Sequence, residues 1–290
     1  MEILGTIPRM QVPEDSFGFY KDKSKAGKTF TEAFPKEFEK YSSKTLERVI
    51  SGECRFNSKG ELEGSNIPVL NLIRTENLLP ENQFLFTPLH FAAAFNKNSK
   101  AFKGKYQDQG LAITISPDQA RDSSILVRTL AKQVKDFGYD ASPQKPIFVY
   151  HSVLNPRANQ SSPYGFIFNI DDKKGIVEAE AFGIDNTIKR FTEYDKNSVP
   201  IPKEDGDYTI YSVSKNPGVS GVYSSSDQSA DAGNDDLAGS SSIGRVVVGT
   251  IVPQDLAEFE KSILQEEERR ERWVRDKGKD LGTRLAKLIN

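Results

Sequence analysis

Two glutamates, Glu178 and Glu180, flank Ala179 within the run Gly175-Ile176-Val177-Glu178-Ala179-Glu180-Ala181-Phe182-Gly183-Ile184. Small and apolar residues closed by a glycine at each end predict a buried strand. Side chains alternate along a strand, so carboxylates at i and i+2 emerge on one face. Neighbouring like charges repel, are costly to desolvate, and drive one pKa up. A fold carries such a pair more readily where it meets a cation or does chemistry. The competing reading is an edge strand whose polar face looks at water.

Other reactive side chains are sparse. His90 and His151 are the only histidines and Cys54 the only cysteine. A strand separates the histidines and the thiol is distant in sequence, so they make no metal set. Gly27-Lys28-Thr29 ends like a P-loop, but Asp22 stands where that motif needs its first glycine, and no strand precedes it. No Gly-x-Gly-x-x-Gly follows a strand, which excludes a Rossmann-type dehydrogenase.

Three elements upstream have to position the carboxylates. Val69-Leu70-Asn71-Leu72-Ile73-Arg74-Thr75 predicts an apolar strand ending in an arginine. Gly110–Pro117 predicts a strand with Leu111, Ile113 and Ile115 on one face and Ala112, Thr114 and Ser116 on the other. Ser116-Pro117-Asp118-Gln119 then predicts a helix start, with Ser at the N-cap, Pro next and Gln completing a capping box. Ala120, Val127, Ala131 and Val134 mark the buried face of that helix, and Gly138 ends it. Ile147–Val153 reads as a plain strand.

The order is a strand with Arg, a strand with hydroxyls and a helix, a plain strand, and a strand with Glu-x-Glu. It resembles the mono-ADP-ribosyltransferases of the R-S-E class, the cholera-toxin-like enzymes, over roughly Val69 to Phe191. Val177-Glu178-Ala179-Glu180, followed by Phe182-Gly183-Ile184 and Ile188, carries most of the likeness. The resemblance implies an α+β fold, a split and mostly antiparallel β-sheet core with N- and C-terminal helices. It implies NAD+ as co-substrate, no metal, and transfer of ADP-ribose to an arginine of a target protein. Glu180 would stabilise the oxocarbenium-like ribose left when nicotinamide departs, as carboxylates do in glycosidases. Glu178 would receive the acceptor guanidinium, whose paired N–H groups match a carboxylate. Arg74 would anchor NAD+, and His90 and Phe91 would lie beside the nucleotide. The family's Ser-Thr-Ser fits either Ala112-Ile113-Thr114 or Thr114-Ile115-Ser116. Thr114 occurs in both registers and is favoured over Ser116 as the hydroxyl that positions Glu180.

The composition sets the outer limits. The chain has 290 residues, 37% hydrophobic and 28% charged, with a formal net charge of −2. That is a globular mix able to bury a core, and its charge gives no bulk attraction to nucleic acid. One cysteine excludes an internal disulfide framework. The first residues lack a basic and apolar leader, and no apolar run is long enough for a bilayer. These features lead us to expect a soluble, cytoplasmic protein of a reducing compartment. Members of the family without a leader include bacterial effectors delivered into a host cell.

Residues 1–66 predict a mainly helical, aromatic-rich region, with Phe34, Phe38, Tyr41, Leu46 and Ile50 at helical spacing and a break at Pro35. A catalytic core is expected over 67–252. Within it, 82–109 reads as a long connection in which Leu89–Phe95 forms a short helix. Tyr208–Val213 and Arg245–Val252 read as strands, and the Ser-, Gly- and Asp-rich stretch 220–244 as a mobile loop. Residues 253–290 predict a charged helix. A second reading is a non-enzymatic interaction protein using the aromatic N-terminal segment and this C-terminal helix.

Overall fold

The computed structural model describes residues 17–39, 54–185, 187–216, 218–237 and 239–250. By its contacts the chain divides into Met1–Gly249 and Thr250–Asn290, and the fold described is that of the first unit. It is mixed α+β with more strand than helix.

The N-terminal part gives strand β1 (Phe17–Phe19), one-turn helices α1 (Phe30–Ala33) and α2 (Pro35–Phe38), and strands β2 (Arg55–Phe56) and β3 (Leu62–Glu63). Helices α3 (Ile67–Thr75) and α4 (Pro88–Asn98) follow, on either side of β4 (Gln83–Leu85). Next come β5 (Gln107–Ile113), helix α5 (Ile125–Asp136), β6 (Ile147–Tyr150), β7 (Leu154–Ala158), β8 (Phe166–Ile170) and β9 (Ile176–Glu178). The remaining strands are β10 (Lys189–Tyr194), β11 (Pro200–Pro202), β12 (Tyr208–Tyr211), β13 (Val219–Ser224), β14 (Ala230–Asn234) and β15 (Val247–Thr250).

Eight strands form the main sheet in the order β11-β10-β12-β14-β13-β5-β6-β9. Its pairings are antiparallel except for β12 with β14. Strand β5 lies inside the sheet, and both faces of Leu111-Ala112-Ile113 are buried. Residues opposite one another on paired strands share a face. Leu111, Ile113, Ile147 and Val149 therefore pack on one side, with Val69, Leu70 and Ile73 of α3 and Leu126, Leu130 and Val134 of α5. Ala112, Phe148 and Tyr150 pack on the other, with Phe91 and Phe95 of α4, Phe182 and Phe191.

The structure corrects several expectations. Val69–Thr75 lies in helix α3 and is not a strand. A short continuous apolar run suits a buried helix as well as a buried strand. Asn66 decides it: its side chain caps the helix by accepting from the Val69 N–H at 2.8 Å, and Pro68 occupies the first turn. Ser116 and Gln119 do exchange bonds, at 3.1 to 3.4 Å, but they cap only a short 3-10 turn, Gln119–Asp122. The helix itself starts afresh at Ile125, capped by Ser124. It ends as expected, Gly138 taking a φ of 92° while the Tyr139 N–H reaches back to the Val134 carbonyl.

The stretch 220–244 is not simply a loop: it holds nearly all of β13 and the whole of β14, adjacent strands of the main sheet. Its serines and glycines lie where neighbours crowd; Ser220 is buried and its hydroxyl donates to the Ala232 carbonyl at 2.6 Å. The connection 82–109 carries β4 and α4, so Leu89–Phe95 belongs to a helix longer than expected. In the described part of 1–66, the helices are single turns meeting at Pro35, beside the β2–β3 hairpin. Tyr41, Leu46, Ile50 and the helix expected from Pro253 lie outside the described residues. Among the described residues no helix is long and apolar enough to cross a membrane.

Candidate functional site

Strand β9 is the last strand of the sheet and pairs only with β6, Ile147 opposite Glu178 and Val149 opposite Ile176. It is shorter than the run around it predicts. Ala179, at φ −131° and ψ 57°, leaves the strand, and Glu180–Phe182 forms a 3-10 turn. The two carboxylates thus sit on a strand end and the turn after it. Both side chains are nonetheless exposed, with Ala179 and Ala181 buried beside them. Lys145 stands against Glu180, its Nζ 3.1 Å from Oε1.

The turn is tied on several sides. Its Gly183 N–H donates to the Glu180 carbonyl and its Phe182 N–H to that of Ala179, both at 2.9 Å. The Val213 N–H donates to the Phe182 carbonyl at 2.9 Å, docking the turn on the segment after β12. A Cβ on Gly183 would stand 2.1 Å from the Gln144 carbonyl oxygen, so glycine is required for this close approach. Lys189 pairs with Asp185 at 2.8 Å. Together with Thr187 it holds the Asp185 carboxyl below the usual carboxylate range.

Thr114 is buried one residue beyond β5. Its hydroxyl donates to the Gly218 carbonyl at 3.1 Å and accepts from the Gly218 N–H at 2.7 Å. Ile113, Ile147 and Glu178 form one cross-strand row, so Thr114 belongs to the next row, on the opposite face. Its partner is the β13 side of the sheet, away from Glu180. Ser116 is engaged with Gln119.

Arg74, at the end of α3, reaches the other end of β6. Its guanidinium donates to the Leu154 carbonyl and stands 3.5 Å from the Asn71 side-chain oxygen. Burial lowers its pKa, and Asp171 opposes that. His90 and Phe91 are part of α4. The His90 ring accepts from the Thr87 N–H at 3.2 Å, so histidine fills the place glutamate takes in a capping box. Burial pushes its pKa down. Phe91 is buried between Phe102, Phe95 and Tyr194.

The structure therefore brings Glu178 and Glu180 together and leaves Arg74, Thr114, His90 and Phe91 at other places in the fold. It also gathers polar groups that the sequence reading missed. Gln107, Asp108, Gln109, His151 and Arg245 line one small cavity with Phe86 and Phe91. His151 is buried, and its Nε2 is 3.0 Å from the Phe86 carbonyl. That oxygen can only accept, so Nε2 carries the proton. Burial pushes the His151 pKa down to about 3.

Burial also pushes the Asp108 carboxyl up to about 7, although the Ser65 hydroxyl donates to it at 2.6 Å. Ser65 in turn accepts from Tyr106 at its carbonyl and gives its N–H to Ser240 at 3.0 Å. The visible signal was Gln107-Asp108-Gln109, three polar residues running straight into the apolar stretch from Gly110. Among the described residues no group of three or more His, Cys, Asp or Glu is placed to hold a metal ion. No family model, no curated protein and no solved structure matches the chain.

Proposed function

We propose that this chain is an NAD-dependent mono-ADP-ribosyltransferase that modifies an arginine of a target protein, on an ADP-ribosyltransferase-like split sheet. The observation that carries the reading is the pair of exposed carboxylates either side of buried Ala179, at the open edge of the sheet. Glu180, on the tied turn, stabilises the ribosyl cation as the nicotinamide bond breaks. Glu178, at the strand end, orients the incoming guanidinium. Lys145 is the cation beside Glu180, whereas the Arg74 guanidinium is committed to the Leu154 carbonyl. The N-terminal aromatics Phe30 and Phe34 pack inward, which removes them from the surface that a purely interacting protein would need.

Nicotinamide release from NAD+, with and without agmatine, tests the assignment. Glu180→Gln is expected to lose both transfer and slow hydrolysis, by a factor on the order of a hundred or more, because the negative charge is gone. Glu178→Ala is expected to lose the agmatine-dependent rate and keep hydrolysis, since water needs no carboxylate to orient a guanidinium. If both folded variants hydrolyse NAD+ at the wild-type rate, Glu178 and Glu180 are only the wet side of an edge strand.

A further inference from the structure

Lys189 opens β10, and its side chain, only 16% exposed, lies beneath the carboxylate turn. Its Nζ donates to the Gly183 carbonyl at 3.0 Å and the Ala181 carbonyl at 3.1 Å, and stands 3.4 Å from that of Glu180. The Asp185 carboxylate completes the set at 2.8 Å. An ammonium has three N–H donors, all of them used by these four acceptors. Carbonyl oxygens converging on one point repel each other, and the buried cation is what makes their convergence favourable. The Phe182 carbonyl, the one Lys189 does not take, is held by the Val213 N–H. Each carbonyl from Glu180 to Gly183 therefore has a partner, and three of the four share Lys189.

We infer that Lys189 is the positioning residue for Glu180, fixing through the backbone where that carboxylate stands. The turn has few other ways to hold its shape. It is one 3-10 turn long, and its Glu180 side chain faces solvent with only the exposed Lys145 against it. With Lys189 neutralised, three carbonyls would have to swing out to water, and Cα of Glu180 would move with them. The side chain that does the chemistry would then be aimed by chance. The catalytic consequence rests on the ADP-ribosyl transfer reading above; the hold on the turn does not.

The full chain is compared with Lys189→Met and Lys189→Arg, using two readouts. Hydrogen exchange at the Phe182 and Gly183 amides reports the turn with no substrate present. It is expected to speed up by about tenfold or more in Lys189→Met, with the β5 and β6 amides unchanged. In nicotinamide release, kcat is expected to fall by about tenfold or more while KM for NAD+ stays within about twofold, and Lys189→Arg to recover most of the loss. A residue that only stabilised the fold would shift the β5 and β6 amides too and leave kcat of the folded fraction alone. Should the methionine variant not fold, Lys189→Gln, which keeps N–H donors without the charge, is expected to give the same pattern at smaller amplitude.

Unchanged exchange at Phe182 and Gly183 would overturn the inference, as would an opened turn with an unaltered kcat. A wild-type protein that releases no nicotinamide would sink the transferase reading, while the exchange measurement would still decide whether Lys189 holds the turn.

Discussion

Asp108 and His151 line the same cavity and respond to pH in opposite senses. Burial raises the Asp108 pKa to about 7 from a model value of 3.8, so the folded protein holds that proton more tightly than the unfolded chain. Its contribution to stability is present at low pH and fades as pH rises towards 7. His151 is pushed from 6.5 to about 3, so its contribution is present above pH 6.5 and fades as pH falls. Between about pH 4 and 6.5 the two slopes oppose, each worth about 1.4 kcal/mol per pH unit at most. Asp108→Asn keeps an acceptor for Ser65 and removes the titration. It is expected to expose a steep acid loss of stability that the wild type lacks, seen as a melting temperature that drops on acidification below pH 6.5. A variant as flat as the wild type would mean the two groups do not compensate.

Arg74 and Thr114 call for tests at the same scale. Arg74→Ala is expected to cost about 1–3 kcal/mol by leaving the Leu154 carbonyl without its charged donor, and to leave KM for NAD+ where it was. Thr114→Val strands the Gly218 N–H and is expected to cost a similar amount, about 1–3 kcal/mol, with the remaining folded enzyme turning over normally. Denaturant melts beside NAD+ kinetics separate these losses from loss of a catalytic contact.

At the scale of elements, the sequence disclosed most where pattern and punctuation agreed. Strand β6 and the core of β5 are short apolar runs bounded by turn residues, and Gly138 ended α5 by a requirement for positive φ that sequence can show. Helix α3 was misread because its nine residues are too few for a period to outweigh an apolar run, and the deciding Asn66 lies just outside it. Asn66→Ala is expected to cost about 1 kcal/mol, measured by chemical denaturation. The carboxylate pair was legible as residues but not as geometry. Where the strand ends depends on Lys189, Gln144 and Val213, contacts made by other segments. The cavity residues escaped because polar side chains entering a strand look like the loop before it. Gly183→Ala belongs to this scale too: its Cβ would meet the Gln144 carbonyl, so the turn must shift. A folded variant with nicotinamide release reduced about tenfold is expected, by the sensitivity of such chemistry to small displacements.

For the molecule as a whole, the sheet joins two sets of strands made at different times. Strands β5, β6 and β9 adjoin one another, as do β10, β11 and β12, and the pair β13 and β14 stands between the sets. Val219 of β13 faces Ile113 of β5, roughly a hundred residues earlier, so the central pairing is among the least local in the fold. A ribosome adding residues in order would therefore deliver Glu178, Glu180 and Lys189 before the strand that closes β5. Until Val219–Ser224 emerges, the β5 edge is bare, with unpaired N–H and C=O groups open to any passing strand. The hazard for this protein is greatest late in synthesis, and a chain stalled short of Val219 is expected to aggregate while already carrying every carboxylate of its candidate site.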